Sequence, residues 1–140
     1  MLPEYTVQGW GTLQNDKSIK LPVLNIAGRE FRKGLGTHAT SEIVYRICGN
    51  YTQFSAWIGV DNFPKFNNLS SIQFEIWGDG ELLFQSGIMR IKDEAQFIEV
   101  DITGVNELKL NVNDAGDGTN WDHADWAEAK IRYPGFSIQF

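Results

Sequence analysis

The stretch IQFEIWGDGELLF, residues 72–84, decides the fold class. Ile72, Phe74 and Ile76 alternate with Gln73, Glu75 and Trp77, the period of two that lays one face of a strand on a core. Asp79-Gly80 follows, a dipeptide that accepts the two left-handed residues of a type I′ turn, and ELLF starts a return strand. Working outward, the alternation recurs. Leu108, Leu110 and Val112 alternate with Lys109, Asn111 and Asn113, and Ile98, Val100 and Ile102 with Phe97, Glu99 and Asp101. Upstream, Phe54, Ala56, Ile58 and Val60 alternate with Ser55, Trp57 and Gly59. EIVYRIC (42–48) and DWAEAKIRY (125–133) read as further strands, with Gly/Asn turns in RICGNYT and DITGVNE. The only helical candidate is a short turn around Ala39 to Glu42. Many short, half-buried strands at even spacing predict an all-β, antiparallel β-sandwich, one domain over residues 1–140.

Composition narrows the partner. A net charge of −6 and the lack of any Lys/Arg cluster exclude a nucleic-acid groove and argue equally against an anionic membrane surface. No apolar run reaches the ~18 residues of a membrane span. The single cysteine, Cys48, cannot form an internal disulfide or a Cys-based zinc site, and is expected as a small buried filler in a strand. Five Trp, nine Phe and four Tyr exceed what a core this size needs, so an exposed aromatic platform is expected.

Two segments could carry chemistry. In KGLGTHATSE (33–42), His38 stands in a loop entering the next strand, where an imidazole can bond a sugar hydroxyl or serve structure alone. DAGDGTNWDHADWAEAKI (114–131) packs five carboxylates, one His and two Trp together. Its spacing fails the EF-hand rule, and two His with no G-x-S-x-G elbow give neither a zinc hydrolase nor a nucleophile. Trp121 lies in a polar loop, where an indole can stack on a pyranose, whereas Trp126 is expected in the core. His38, Asn120, Trp121, Asp122 and His123 are the candidates for a ligand rim. A self-standing hydrolase using residues 114–128 and a structural adhesion sandwich are the alternatives.

KGLGTHA, FSAWIGVDN, FEIWGDGELLFQSG, VDITGVNELKLNV and DAGDGTNWDHADWAEAKI occur in the order found in the NPCBM domains, the family-51 carbohydrate-binding modules. The resemblance runs from about Gly9 to Tyr133. It implies a jelly-roll, galactose-binding-domain-like module, excised from a large secreted bacterial glycoside hydrolase. Such a module binds galactose or blood-group-type glycans in place of doing chemistry, and carries a structural calcium. The family's DHADWADA reads DHADWAEA here, so Glu128 replaces Asp and keeps a carboxylate, and Trp121 stands where the family varies. For the ion, Asp16 in the LQNDKS turn and Glu128 in the final strand are the expected carboxylates, with Asp125 as a third and backbone carbonyls completing six to eight oxygens.

Overall fold

The computed structural model describes residues 1–9, 11–20, 22–63, 70–116 and 122–140. The strands in chain order are β1 (Tyr5–Gln8), β2 (Gln14–Asn15), β3 (Leu24–Ile26), β4 (Arg29–Phe31), β5 (Gly34–His38), β6 (Ser41–Arg46) and β7 (Gln53–Val60). They continue as β8 (Gln73–Gly78), β9 (Glu81–Gln85), β10 (Gln96–Asp101), β11 (Glu107–Asn113), β12 (His123–Tyr133) and β13 (Phe136–Gln139). One sheet has the order β1-β6-β11-β8-β9. The second runs β10-β7-β12-β5-β2, with β13 pairing β12. The predicted hairpin is β8–β9. Asp79 and Gly80 both take positive φ, at 50° and 82°, and the Asp79 carboxylate accepts bonds from the amides of Asn106 and Glu107. That tie fixes the turn to β11.

The alternating apolar residues meet between the sheets. Phe74 from β8 packs edge-on to Trp126 of β12 at 4.9 Å, and Phe54 of β7 closes on the same indole at 6.0 Å. All three are fully buried. Each such side chain contributes about 1.5–3 kcal/mol on leaving water.

A third layer sets up the functional face. The β3–β4 hairpin lies on the outer side of the second sheet, where Leu24, Ile26 and Phe31 pack on Ala127. Gly59 makes room for it, as Gly36 does for the Lys17–Ser18 backbone that crosses the same sheet. A Cβ on Gly36 would stand 2.4 Å from the Lys17 carbonyl oxygen, and one on Gly59 2.4 Å from Ile26 Cγ2.

Three sequence expectations are corrected. KGLGTHATSE is no loop, because Gly34–His38 is β5; its glycines are strand positions where backbone crosses closely overhead. Ala39–Glu42 forms no helix, since Ala39 and Thr40 are the tight link from β5 and Ser41 and Glu42 already belong to β6. Cys48 is exposed with φ 55°, because β6 ends at Arg46 and the next amides turn outward to bond the carbonyls of Asn106 and Val105.

Candidate functional site

At one end of the second sheet, β5 and β12 run antiparallel with His38 opposite His123. Their rings meet edge to face at 5.0 Å. Both are nearly buried, at 6% and 3% exposure, which holds each imidazole in one orientation. His38 Nδ1 donates to the Ala39 carbonyl at 2.7 Å, so that nitrogen carries the proton and Nε2 the lone pair. Phe63 lies 5.8 Å from His123, ring to ring. Asp122 braces the corner. Its carbonyl accepts from Ala39 N at 2.9 Å and its Oδ1 from Ser71 N at 3.1 Å.

Strand parity places Asp61 and Asp125 on the same outer face as the two imidazoles. Asp125 stands between Gly36 and Gly59 of the neighbouring strands, and Asp61 N donates to the His123 carbonyl at 2.8 Å. Both carboxyls are fully buried, and the Asn25 amide donates to one oxygen of each at 3.2 Å. Burial pushes both acids up from the carboxylate range, Asp125 furthest, and they bond each other around a retained proton. For the imidazoles burial works the other way. It lowers His38, against the bond to Ala39, and brings His123 to about 4 with help from His38 and Lys20. At neutral pH the site therefore holds two neutral imidazoles, and His38, its Nδ1 proton held on the Ala39 carbonyl, turns an acceptor Nε2 to whatever it meets. Such groups suit hydroxyls better than anions.

These acids do not make a hydrolase. Glycoside hydrolysis needs carboxyls roughly 5–9.5 Å apart around the sugar. Asp61 and Asp125 instead touch each other beneath β3, while Asp122 is fully buried on a backbone amide. Asp114 is spent on its own turn, accepting from Gly116 N at 2.9 Å.

Of the rim residues expected from sequence, the structure brings together His38, His123 and Asp122. Asp122 is a brace with its carboxyl turned inward. Asn120 and Trp121 lie outside the described residues. Sequence reading missed Asp61, Phe63 and Lys20. Asp61 had a usable signal, since it continues the outward phase of Trp57 and Gly59 at the end of a strand.

The expected ion ligands divide. Asp16 and Glu128 both flank Lys33-Gly34. Asp16 Oδ1 accepts from Gly34 N at 3.0 Å, its Oδ2 pairs with Lys33 Nζ at 3.1 Å, and Glu128 N donates to the Lys33 carbonyl at 2.7 Å. Both take positive φ, 62° and 49°, and Glu128 lies where the β12 register shifts. Asp125 is directed instead to Asn25 and Asp61. Among the described residues no three His, Cys, Asp or Glu converge as a metal cluster. A hard cation there would have to displace Lys33 Nζ from Asp16, and would take Glu128 and backbone carbonyls as its further oxygens.

The NPCBM/NEW2 domain matches residues 1–132. A Renibacterium salmoninarum protein assigned as an endo-alpha-N-acetylgalactosaminidase is 35% identical over 131 residues, which is 88% of this chain and 8% of that protein. The chain spans 8–16% of the curated relatives it matches. Among solved structures, CBM51-2 of Clostridium perfringens ZmpB, in complex with GlcNAc and with INT domains, has a TM-score of 0.88 at 36% identity. It covers 98% of this chain and 31% of that one. CBM51 from Clostridium perfringens GH95, in complex with methyl-galactose, has a TM-score of 0.85 at 34% identity, covering 94% and 95%.

Proposed function

The chain belongs to the NPCBM/NEW2 domain family and is a non-catalytic carbohydrate-binding module, and from that premise we propose that it recognises terminal galactose on host or blood-group-type glycans. The observation that carries this reading is the His38–His123 pair, two neutral, oriented imidazoles at the end of a sheet. Imidazole nitrogens reach vicinal hydroxyls, and the Phe63 ring beside them offers an apolar wall for the C–H face of a pyranose. On the sequence alone, Trp121, one residue before Asp122, is the indole proposed to stack on the sugar. The module would hold a glycoside hydrolase, joined to it in the same secreted or surface-attached chain, close to its substrate.

Calcium belongs to the same proposal. Asp16 and Glu128 would hold it, the ion taking over the charge balance that Lys33 Nζ gives Asp16 at a junction where both acidic residues take positive φ. It would order the fold and take no part in recognition.

The direct test is calorimetric titration of the module with methyl β-galactoside and, separately, GlcNAc, alongside an assay for sugar release. Galactoside binding with no turnover is expected. Binding of GlcNAc alone would overturn the sugar assignment, and turnover would overturn the non-catalytic one.

A further inference from the structure

Beyond the His pair, the outer face of the second sheet carries a second concentration of chemistry. Trp57 of β7 stands directly opposite Phe97 of the edge strand β10, with ring centroids 5.2 Å apart. These are solvent-side positions, where polar side chains are the ordinary choice, yet Phe97 is 48% exposed. Arg29 arches over Trp57. Its Cζ lies 4.1 Å from the Trp57 ring centroid and 4.8 Å from that of Phe31, so the guanidinium is held by two aromatic faces. Between the β3–β4 turn and the segment before β10 opens a cleft of about 430 Å³, lined by Ile26, Ala27, Arg29, Trp57, Glu94 and Ala95. That lies within the ~300–1,000 Å³ of small-ligand sites. Arg29 and Glu94 make no side-chain hydrogen bond or ion pair among the described residues. Their donors and acceptors are available to a ligand.

We propose that this cleft is a second carbohydrate subsite, taking a neutral hexopyranose unit of an extended glycan. The proposal rests on the reading of the chain as a sugar-binding module. Small apolar side chains of Ala27 and Ala95 leave room for a ring, and Trp57, backed by Phe97 outside the cleft, gives it an aromatic side. Arg29 and Glu94 bond its hydroxyls from either side. Opposite charges on the two rims favour a neutral, hydroxyl-rich ligand over an anion or a cation. The cation–π hold on Arg29 means that little rotamer freedom is lost on binding. Ala127, opposite Trp57, is four residues along β12 from His123, or about 13 Å of strand. The two subsites are therefore separate and could serve different residues of one branched glycan.

The test is an NMR titration of the module with lacto-N-tetraose, a neutral galactose-terminated tetrasaccharide, following the Trp57 indole N–H and the His38 and His123 ring signals. Saturable shifts at Trp57 are expected. They should weaken about tenfold in Arg29→Ala, the loss of a hydrogen bond to a charged group, while the His38 and His123 shifts titrate as before. Glu94→Gln, which preserves shape, should weaken the Trp57 response alone. Shifts at the histidines with none at Trp57 would overturn the subsite and leave the primary reading intact. Shifts at Trp57 with none at the histidines would overturn the primary assignment and keep the subsite. Trp57 shifts unchanged in both variants would also overturn the proposal, and no shift anywhere would overturn both readings.

Discussion

His38 and His123 are each expected to contribute about 1 kcal/mol of galactoside binding, the scale of one intramolecular or ligand hydrogen bond. Titration of His38→Ala and His123→Ala against the parent checks this. The pH response follows from the direction of their shifts. An exposed imidazole would change binding across pH 5–8, but burial lowers both, His123 to about 4. Affinity should stay level between about pH 7 and 8 and fall only on the acid side of 6.5, as protons arrive on buried rings. A change between pH 7 and 8 would contradict this assignment. Trp121→Ala is expected to weaken binding by about 1–3 kcal/mol with little effect on melting, the scale of one large side chain. Calorimetry and thermal melting of that variant separate a rim indole from a core one. Residue type made His38, Asp122 and His123 legible in the sequence. What it left hidden was orientation: nothing local says that the Asp122 carboxyl turns inward to Ser71 N or that Asp61 joins the group.

At the level of elements, alternation located β7, β8, β10 and β11, since a half-buried strand has to repeat every second residue, while β6 and β12 were legible as strands without it. It failed at β5, where two of five residues are glycine and all five are buried. The reason is the third layer, whose presence depends on contacts distant in sequence. The meeting of His38 with His123 was hidden for the same reason, because it is a fact of register between strands 85 residues apart (123 minus 38). The glycines give a clean test. Gly36→Ala and Gly59→Ala should each destabilise the fold by about 1–3 kcal/mol, the cost of overpacking. Gly36→Ala should be the worse, because its Cβ meets backbone where that of Gly59 meets a movable Ile26 side chain. Denaturant melts measure both; a negligible effect of Gly59→Ala would mean that the β3–β4 layer is loosely held, and one of Gly36→Ala that the Lys17–Ser18 segment is.

For the molecule as a whole, two buried groups pull its stability in opposite directions with pH. Asp61 and Asp125 keep a proton in the fold that the unfolded chain loses above about 3.8, so their contribution declines as pH rises. His38 and His123 refuse protons that the unfolded chain accepts below 6.5, so theirs declines as pH falls towards about 4. Asp125→Asn should reduce the first slope, leaving the share of the still-buried Asp61, and leave the second unchanged, as melting temperatures from pH 4 to 8 will show. Chelation should lower the melting temperature of the parent. A bound ion contributes roughly 2.7 kcal/mol at a hundredfold excess over Kd. Asp16→Ala and Glu128→Ala should both be indifferent to chelator, and a parent curve that chelator does not move would remove calcium from the account. The outer face of the second sheet also governs posture. With the imidazole pair at its end and the Arg29–Trp57 cleft on its flat, a glycan layer engaging both would meet the domain broadside. The sandwich would then lie down on the layer like a coin on its face, leaving Glu42, Glu75 and Lys109 of the opposite sheet turned away from it.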